Sequence, residues 1–179
     1  MTPQETHAKE TQVRRADAAD ASLLAELGAR IFYETFVQDT PPEDMDAYLK
    51  ATYGPDIQRA ELNDPQSTFF IAETGGAASG YALLRAGRPP ECVEGARPIE
   101  LARLYVSQGW HGHGVGEALM RACVDEARRA GFETLWLGVW EHNARAKAFY
   151  AKWEFVAVGS HIFAVGTDEQ IDLLMSRAL

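Results

Sequence analysis

One stretch of this chain alternates between strand and helix patterns around a cluster of glycines, and it restricts the fold more than any other feature. Residues 99–106 have a strand pattern, and three glycines follow within residues 111–116. Apolar side chains then recur at helical spacing up to Gly131, and residues 134–140 again have a strand pattern. This strand–turn–helix–strand succession predicts an α/β fold.

The rest of the chain adds elements of both kinds on either side of that stretch. Its 179 residues suit a single domain with one continuous core. We expect this domain over residues 11–179, preceded by a flexible tail over residues 1–10. The other predicted elements are strands at 11–15, 69–72, 80–84, 155–163 and 171–176, and helices that end near Phe36, begin at Pro41-Pro42, cover 57–62 and cover 143–152.

Alternation along the strand at 99–106 predicts which of its side chains share a face. Glu100 is the acidic residue of this strand, and it is expected on the same face as Leu104 and Val106. The two predicted faces are Leu101, Arg103 and Tyr105 on one side, and Glu100, Ala102, Leu104 and Val106 on the other.

The amino-acid composition indicates a globular protein. Apolar residues make up 46% and charged residues 24% of the chain, as in an ordinary globular protein. No apolar run approaches the roughly 20 residues that span a bilayer, and the first ten residues lack the apolar core of a signal peptide. Cys92 and Cys123 have neither metal-binding nor redox spacing. We therefore expect a cytoplasmic, reduced protein with no membrane partner and no metal.

The net charge and its distribution limit which classes of partner the chain can bind. The net charge of −9 argues against nucleic acid as a partner, because proteins that bind the phosphate backbone usually carry a basic face. Residues 34–64 hold eight acidic and two basic residues, a net charge of −6. This segment is interpreted either as a solvated helical face or as a wall that attracts a cation.

The glycine turn is the first pattern that could carry chemistry. Gly112, Gly114 and Gly116 stand between a strand and a helix, where backbone amides and the helix N-terminus favour phosphate. A flexible helix-capping turn is the simpler alternative. A dinucleotide-binding fold is disfavoured, because its fingerprint is Gly-x-Gly-x-x-Gly and because the motif here lies past the middle of the chain.

The second pattern runs from a strand at Trp136–Trp140 into the helix that Asn143 begins. The Asn143 amide can cap this helix or hydrogen-bond an amide-rich ligand such as pantetheine. Tyr150 lies seven residues later, on the same helix face. Taken alone, Tyr150 and Phe149 are equally well interpreted as core aromatics.

Together the two patterns resemble the GCN5-related N-acetyltransferase (GNAT) superfamily over most of the chain. Its phosphate motif has Arg or Gln, two residues, Gly, one residue, then Gly or Ala, and His111 replaces the Arg or Gln here. The pattern Asn-x-x-Ala-x-x-Phe-Tyr matches fully at Asn143–Tyr150. The resemblance implies a mixed central sheet of about six to seven strands with helices on both faces, and acetyl-CoA as co-substrate.

A narrower resemblance is to the PaiA-type polyamine acetyltransferases. The residues that carry it are Glu34-Thr35-Phe36, Gly138-Val139-Trp140-Glu141 with Asn143, and the tail Gly159-Ser160-His161-Ile162-Phe163, Gly166 and Gln170-Ile171-Asp172-Leu173. This resemblance implies a small cationic amine, such as spermidine or spermine, as acceptor. It makes Glu34, Trp140 and Glu141 candidate acceptor-binding residues.

The superfamily resemblance also implies direct transfer of acetyl to the amine without an acyl-enzyme. It makes Tyr150 the general acid for the leaving thiolate and Glu100 the base, alone or through a water; an ion pair of Glu100 with Arg97 or Arg103 is the alternative. The residues expected to hold the coenzyme are Leu104, Tyr105, Val106, His111, Gly112, His113, Gly114, Val115, Gly116, Asn143 and Tyr150.

Several alternatives stay open at this point. The same fold could serve as a catalytically silent acyl-CoA-binding or regulatory module, which the loss of Arg or Gln at position 111 would suit. The acceptor could also be an amino acid, an antibiotic or a protein N-terminus. A homodimer is expected only at the level of the superfamily.

Overall fold

The computed structural model describes residues 10–179, so residues 1–9 of the predicted tail lie outside the described residues. Within the described part, seven strands form one mixed sheet in the order β1-β2-β3-β4-β5-β7-β6. The strands are β1 (Thr11–Arg15), β2 (Ser67–Thr74), β3 (Ala77–Ala86), β4 (Pro98–Val106), β5 (Thr134–Trp140), β6 (Val156–Val165) and β7 (Asp168–Ala178).

Helices cover both faces of the sheet, which confirms the predicted α/β architecture. The second helix begins as the sequence predicts, with Pro42 in its first turn. Before the first helix, Asp17 accepts a hydrogen bond from the Ala19 amide at 2.8 Å and caps a short 3₁₀ turn. The helices are α1 (Ala21–Phe36), α2 (Pro42–Thr52), α3 (Pro55–Asn63), α4 (Val115–Arg129) and α5 (Ala144–Lys152).

The core lies in two layers, one on each face of the sheet. On one face, α4 and α5 bury an apolar stripe that includes Leu119, Cys123 and Tyr150 against the sheet. On the other face, Leu24, Leu27 and Ile31 of α1 pack on β2 and β3. Helices α1 and α2 also meet β6 on this second face. The side chains of the central strands therefore alternate between an α1 face and an α4 face.

A β-bulge in β4 corrects the predicted faces of that strand. Leu83 and Leu84 are consecutive on β3, yet they pair with Arg103 and Leu101, so Ala102 is an extra residue on β4. The side chains that precede the extra residue therefore lie on the face opposite to the one predicted. Leu101 packs in the α4 layer, and Glu100 lies opposite Arg85 of β3, on the α1 face. The prediction that Glu100 shares a face with Leu104 and Val106 is wrong, since both of these pack in the α4 layer.

Candidate active site

The two central strands separate along their length and open a wedge in the sheet. Strands β4 and β5 are parallel, and within residues 10–179 they pair at three positions, Pro98–Glu100 against Thr134–Trp136. Farther along, β4 stays paired with β3, and β5 stays paired with β7. One backbone edge of each strand therefore faces the wedge, where it can bind an extended, amide-bearing ligand.

The wedge opens into a cavity of about 510 Å³, within the size range of small-molecule sites. Its wall includes residues 101–106 of β4 and 138–140 of β5. One end reaches the glycine turn and α5, and the other lies among aromatic side chains of α1, α2 and β6. Nine of the predicted site residues line this cavity: Leu104, Tyr105, Val106, His111, Gly112, Gly116, Trp140, Asn143 and Tyr150.

The glycine turn has the backbone that its sequence predicts. Gly112 has a φ of 76° and Gly114 a φ of 80°, a region that L side chains rarely adopt. Gly114 is the N-cap of α4, and Val115, the first helical residue, buries its side chain in the core. Gly116 has no such positive φ, and a Cβ there would meet Phe149 at an ordinary distance of 3.5 Å. The turn therefore presents backbone amides at the N-terminus of a 15-residue helix.

His111 has two hydrogen-bond partners that fix its protonation. Its Nε2 lies 2.9 Å from the Val106 carbonyl, and Arg145 Nη1 lies 2.7 Å from its Nδ1. A carbonyl only accepts and a guanidinium only donates, so Nε2 carries the proton and Nδ1 accepts. Burial and the Arg145 charge both lower the pKa of His111. His111 therefore stays neutral and holds the Arg145 cation beside the glycine turn, where the superfamily motif has Arg or Gln.

Helix α5 places Asn143 and Tyr150 on the cavity wall. The Asn143 side chain accepts a hydrogen bond from the Ala146 amide at 3.0 Å, so it caps the helix. Tyr150 is 8% exposed and packs edge-on against Phe155, with ring centroids 5.7 Å apart. Burial and the nearby Cys123 raise the pKa of Tyr150, which keeps its hydroxyl protonated at neutral pH.

Glu100 lies at the closed end of the wedge. It pairs across the sheet with Trp136 of β5 and Arg85 of β3, whereas the lining of the cavity from β4 begins one residue later, at Leu101. Burial raises the pKa of Glu100 despite the positive charges of Arg85 and Arg103. Glu100 can therefore reach a ligand in the cavity only through an intervening group.

The other end of the cavity is aromatic. Phe32 of α1 stacks on Tyr48 of α2 with ring centroids 4.4 Å apart, and Tyr48 meets Phe163 of β6 edge-on at 5.9 Å. Phe36 of α1 meets Trp140 edge-on at 5.8 Å. Rings that surround a concave space attract a cation through their π faces.

A carboxylate that we did not predict as a site residue also lines this end. Asp172 of β7 is part of the cavity wall, and its side chain is 15% exposed. Burial raises the pKa of Asp172, although nearby His161 partly opposes the rise. The signal for it in the sequence was an acid inside the apolar strand pattern at 171–176.

The three candidate acceptor-binding residues are dispersed. Glu34 of α1 and Trp140 line a second cavity of about 310 Å³ that adjoins the first at Val106 and His111. The Glu141 carboxylate lies 3.6 Å from His142, at the start of the turn into α5. The structure therefore brings Glu34 and Trp140 together, while Glu141 faces its neighbour in the chain.

Ion pairs neutralise part of the acidic segment at 34–64. Glu61 of α3 binds Arg103, which lines the cavity, at 2.8 Å and Arg85 at 2.9 Å, so the Glu61 charge is already paired. Glu34 is the one acid of this segment among the described lining residues of either cavity. The structure therefore favours a solvated face for most of the segment. Asp44, Asp46 and Asp56 contact Thr167, Lys50 and Arg59.

Residues 10–179 hold neither a membrane-spanning helix nor a cluster of metal ligands. No helix in that range has the length and apolar character needed to cross a membrane. Among the same residues, no three His, Cys, Asp or Glu side chains stand close enough together to hold a metal ion.

Known sequences with similarity to this chain include N-acetyltransferases. The profile of the Acetyltransferase (GNAT) family matches residues 29–155. An N-acetyltransferase encoded in the pepI 3′ region of Lactobacillus delbrueckii subsp. lactis is 33% identical over 148 residues, which cover 83% of this chain and 86% of the relative. An N-acetyltransferase of Mycobacterium tuberculosis is 33% identical over 160 residues, which cover 89% of this chain and 98% of that relative.

A solved structure shows the same fold. The PaiA N-acetyltransferase from Thermoplasma acidophilum, in complex with coenzyme A, superposes with a TM-score of 0.74 at 17% identity. The superposition covers 95% of this chain and 99% of the other. Fold, glycine turn and sequence similarity agree, and the chain belongs to the acetyltransferase (GNAT) family of acyltransferases.

Proposed function

We propose that this acyltransferase moves an acetyl group from acetyl-CoA to the primary amine of a small cationic acceptor, by direct attack. The observation that carries the proposal is the continuity of the cavity, which joins a phosphate-type turn at Gly112 to an aromatic pocket through the wedge. A nucleotide-bearing thioester and an amine can meet in such a cavity from opposite ends.

The coenzyme end supports this proposal with three kinds of contact. Backbone amides of the turn, such as those of Gly112 and Gly116, and the N-terminus of α4 favour the pyrophosphate, and Arg145 adds a full positive charge beside them. The free backbone edge at 104–106 suits the amides of pantetheine and the thioester oxygen. Val115 would contribute its backbone amide, since its side chain is buried in the core, whereas the His113 amide donates to the Trp110 carbonyl at 3.3 Å.

Tyr150 supports the proposed chemistry as the donor to the leaving thiolate. Its hydroxyl stays protonated because burial raises its pKa, and Tyr150 lines the cavity near Asn143. Two partly buried carboxylates, Glu100 and Asp172, lie on the α1 face and can accept the proton that the ammonium must lose. Glu100 would act through a water, because it lies behind the cavity wall.

The acceptor in this proposal is a polyamine such as spermidine. Aromatic rings and Asp172 at one end of the cavity favour one ammonium group, and Glu34 beside the second cavity favours another. The resemblance of the tail at 159–173 to polyamine acetyltransferases supports the same class.

A thiol-release assay with acetyl-CoA tests this function. The acceptors compared are spermidine, spermine, amino acids, an aminoglycoside and a peptide with a free N-terminus. We expect release that depends on the amine and is fastest with a polyamine. Faster reaction with a neutral or acidic acceptor would contradict the cationic class. Acetyl-CoA binding by calorimetry without release from any amine would support the silent module instead.

A homodimer is a further part of the proposal. Strand β6 is an edge of the sheet, and it exposes 61% of Val156 and 64% of Ile162, beside Ile171 on β7. An open edge with exposed aliphatic side chains favours pairing with a second copy. Light scattering at several protein concentrations measures the mass, and Ile162→Lys should shift it towards the monomer.

The proposed compartment is the cytoplasm. Both cysteines of the chain, Cys92 and Cys123, are free thiols in the structure. Free thiols suit a reducing environment. Fractionation of cells that produce the tagged protein tests this location.

A further inference from the structure

Asp172 and His161 form a pair of side chains between the aromatic end of the cavity and solvent. Asp172 lies on β7, directly across from Trp140 on β5 and from His161 on β6. The Asp172 side chain is 15% exposed and the His161 side chain 45% exposed. The Asp172 carboxylate thus faces the cavity, while the His161 imidazole on the neighbouring strand is in contact with water.

Gly138 makes room for this pair. A Cβ at Gly138 would lie 3.2 Å from Asp172 Oδ2 and 3.5 Å from His161 Nε2. The first distance is tighter than ordinary side-chain contacts, so the two groups occupy the space that a larger residue at 138 would fill. Gly138 also lines the cavity. The carboxylate and imidazole can therefore reach over β5 towards the wedge.

The two groups are close enough for proton exchange after a small side-chain movement. Asp172 Oδ2 and His161 Nε2 lie 3.9 Å apart. A hydrogen bond requires about 3 Å, which a rotamer adjustment or one bridging water provides. The other titratable groups that interact with this pair are Tyr48 of α2, whose pKa the Asp172 charge raises, and Glu100 of β4, whose pKa His161 lowers.

We propose that Asp172 is the base that takes a proton from the ammonium group of the acceptor, and that His161 passes this proton to solvent. This inference rests on the proposed acetyl transfer. The ammonium nitrogen loses one proton to Asp172, and its freed lone pair forms the new C–N bond as the C–S bond of the thioester breaks. The second proton that the nitrogen loses balances the one that the leaving thiolate gains.

Position favours Asp172 over Glu100 for direct proton transfer. Asp172 lines the cavity, whereas Glu100 lies at the closed end of the wedge, one residue before the lining begins. Both carboxylates lie close to His161, which lowers the pKa of each. His161 can therefore receive a proton from either, but only Asp172 can contact an amine in the cavity without an intermediary.

The test compares Asp172→Asn with wild type in kcat/KM for the acceptor across pH 6.5–10. For an alkylamine with a pKa of about 10, we expect a loss of roughly 10²–10⁴-fold at pH 7.5. The loss should shrink as the pH approaches 10, and also for an acceptor whose amine has a pKa below 8. Such an acceptor is already largely neutral and needs no base.

Controls separate this role from damage to the fold. Burial raises the pKa of Asp172, so its charge opposes folding at neutral pH, and Asp172→Asn should melt at the wild-type temperature or higher at pH 7.5. Glu169→Gln changes an exposed acid on the same strand and should keep full activity. His161→Gln should lose turnover in dilute buffer and regain it when imidazole is added.

Several results would overturn the assignment. Wild-type kcat/KM in Asp172→Asn would remove the base role, and the pH-dependent loss in Glu100→Gln instead would assign it to Glu100. A loss that is equal at all pH values and for all amines would make Asp172 a positioning residue. Wild-type protein that releases no thiol with any amine would overturn the proposed function itself, which is a distinct outcome.

Discussion

The two ends of the cavity are built in different ways. The proposed coenzyme end comes from two continuous segments, 104–116 and 143–150, in each of which a strand or turn leads into a helix. The proposed acceptor end gathers single side chains from α1, α2, β5, β6 and β7, such as Phe32, Tyr48 and Asp172. Backbone amides dominate the first end and side chains the second. A site made of contiguous backbone constrains the local sequence and produces a recognisable motif. A site made of scattered side chains leaves only isolated residues in the sequence, which form no motif.

The largest expected effect concerns Tyr150, the last residue of the segment 143–150. Removal of its hydroxyl in Tyr150→Phe should lower kcat by roughly 10²–10⁴-fold, because the leaving thiolate loses its proton donor. The affinity for acetyl-CoA should change little, since the ring and its packing on Phe155 remain. Steady-state kinetics and calorimetry measure the two quantities.

Tyr33→Phe is the matched control for this change. Tyr33 lies on α1 and is 49% exposed, so it loses a hydroxyl outside the cavity. Its kcat should stay at the wild-type value. Near wild-type turnover in Tyr150→Phe would return Tyr150 to the role of a core aromatic, and the acid would have to be sought at the acceptor end.

The next effect isolates the backbone of the coenzyme end. Gly114→Val should weaken acetyl-CoA binding by about 10- to 100-fold, the equivalent of one or two hydrogen bonds to a charged group. The cause is the φ of 80° at Gly114, which a β-branched residue disfavours, so the amides of the turn are displaced. Calorimetry measures the binding.

Gly76→Val is the control for the backbone strain that a valine causes at a positive φ. Gly76 lies in the β2–β3 hairpin with a φ of 83°, and like Gly114 it has open space where a Cβ would be. Both variants should lose a similar amount of thermal stability, but only Gly114→Val should lose coenzyme affinity. Equal coenzyme affinity in the two folded variants would show that the glycine turn does not hold the phosphate.

A smaller effect is expected from the side chains of the acceptor end. Phe163→Leu removes one ring next to Tyr48, and the KM for a polyamine should rise about 2- to 30-fold, the range of 0.5–2 kcal/mol for a cation–π contact. The KM for acetyl-CoA should stay unchanged. Ile162→Leu, on the opposite face of β6, is the control. An equal rise in both KM values would show that the two ends are not independent.

The smallest effect is a pH dependence of the free energy of unfolding, which comes from His111 beside the glycine turn. The pKa of His111 is lowered in the folded protein, so the unfolded chain binds more protons as pH falls below the ordinary histidine value. The free energy of unfolding should therefore decrease on acidification from pH 7.5 to 5.5. In His111→Gln this decrease should be smaller. Urea denaturation at both pH values measures it, and His113→Gln controls for loss of an imidazole from the same turn.

The sequence predicted most of the fold, the backbone of the glycine turn and the cap of α5, because periodicity, glycines and caps are local signals. The strand at 11–15, the start of α2 at Pro42 and the cap at Asn143 are all found as expected. Strands β2, β3, β6 and β7 extend beyond their predicted ends, because pairing with a neighbour continues through polar residues that carry no apolar pattern.

The errors have a common physical origin in long-range pairing. One extra residue at Ala102 moved Glu100 to the other face, and only the pairing with Leu83 and Leu84 reveals it. In the same way, Glu61 is paired with Arg103 across 42 positions of sequence, which composition could not show. Asp172 became a site residue only because β7 lies next to β5.

The short pairing of β4 with β5 also affects how the protein unfolds. Strands β1–β4 form one antiparallel plate and β5–β7 another, and within residues 10–179 the seam between the plates is three residue pairs long. A pantetheine arm that bonds to both free edges would lengthen this seam and become part of the sheet. Amide hydrogen exchange at 104–106 and 137–140 should then slow when the coenzyme is present. Saturation at 100 times Kd would add about 2.7 kcal/mol to global stability, so the abundance of the folded enzyme in a cell would follow the concentration of its own co-substrate.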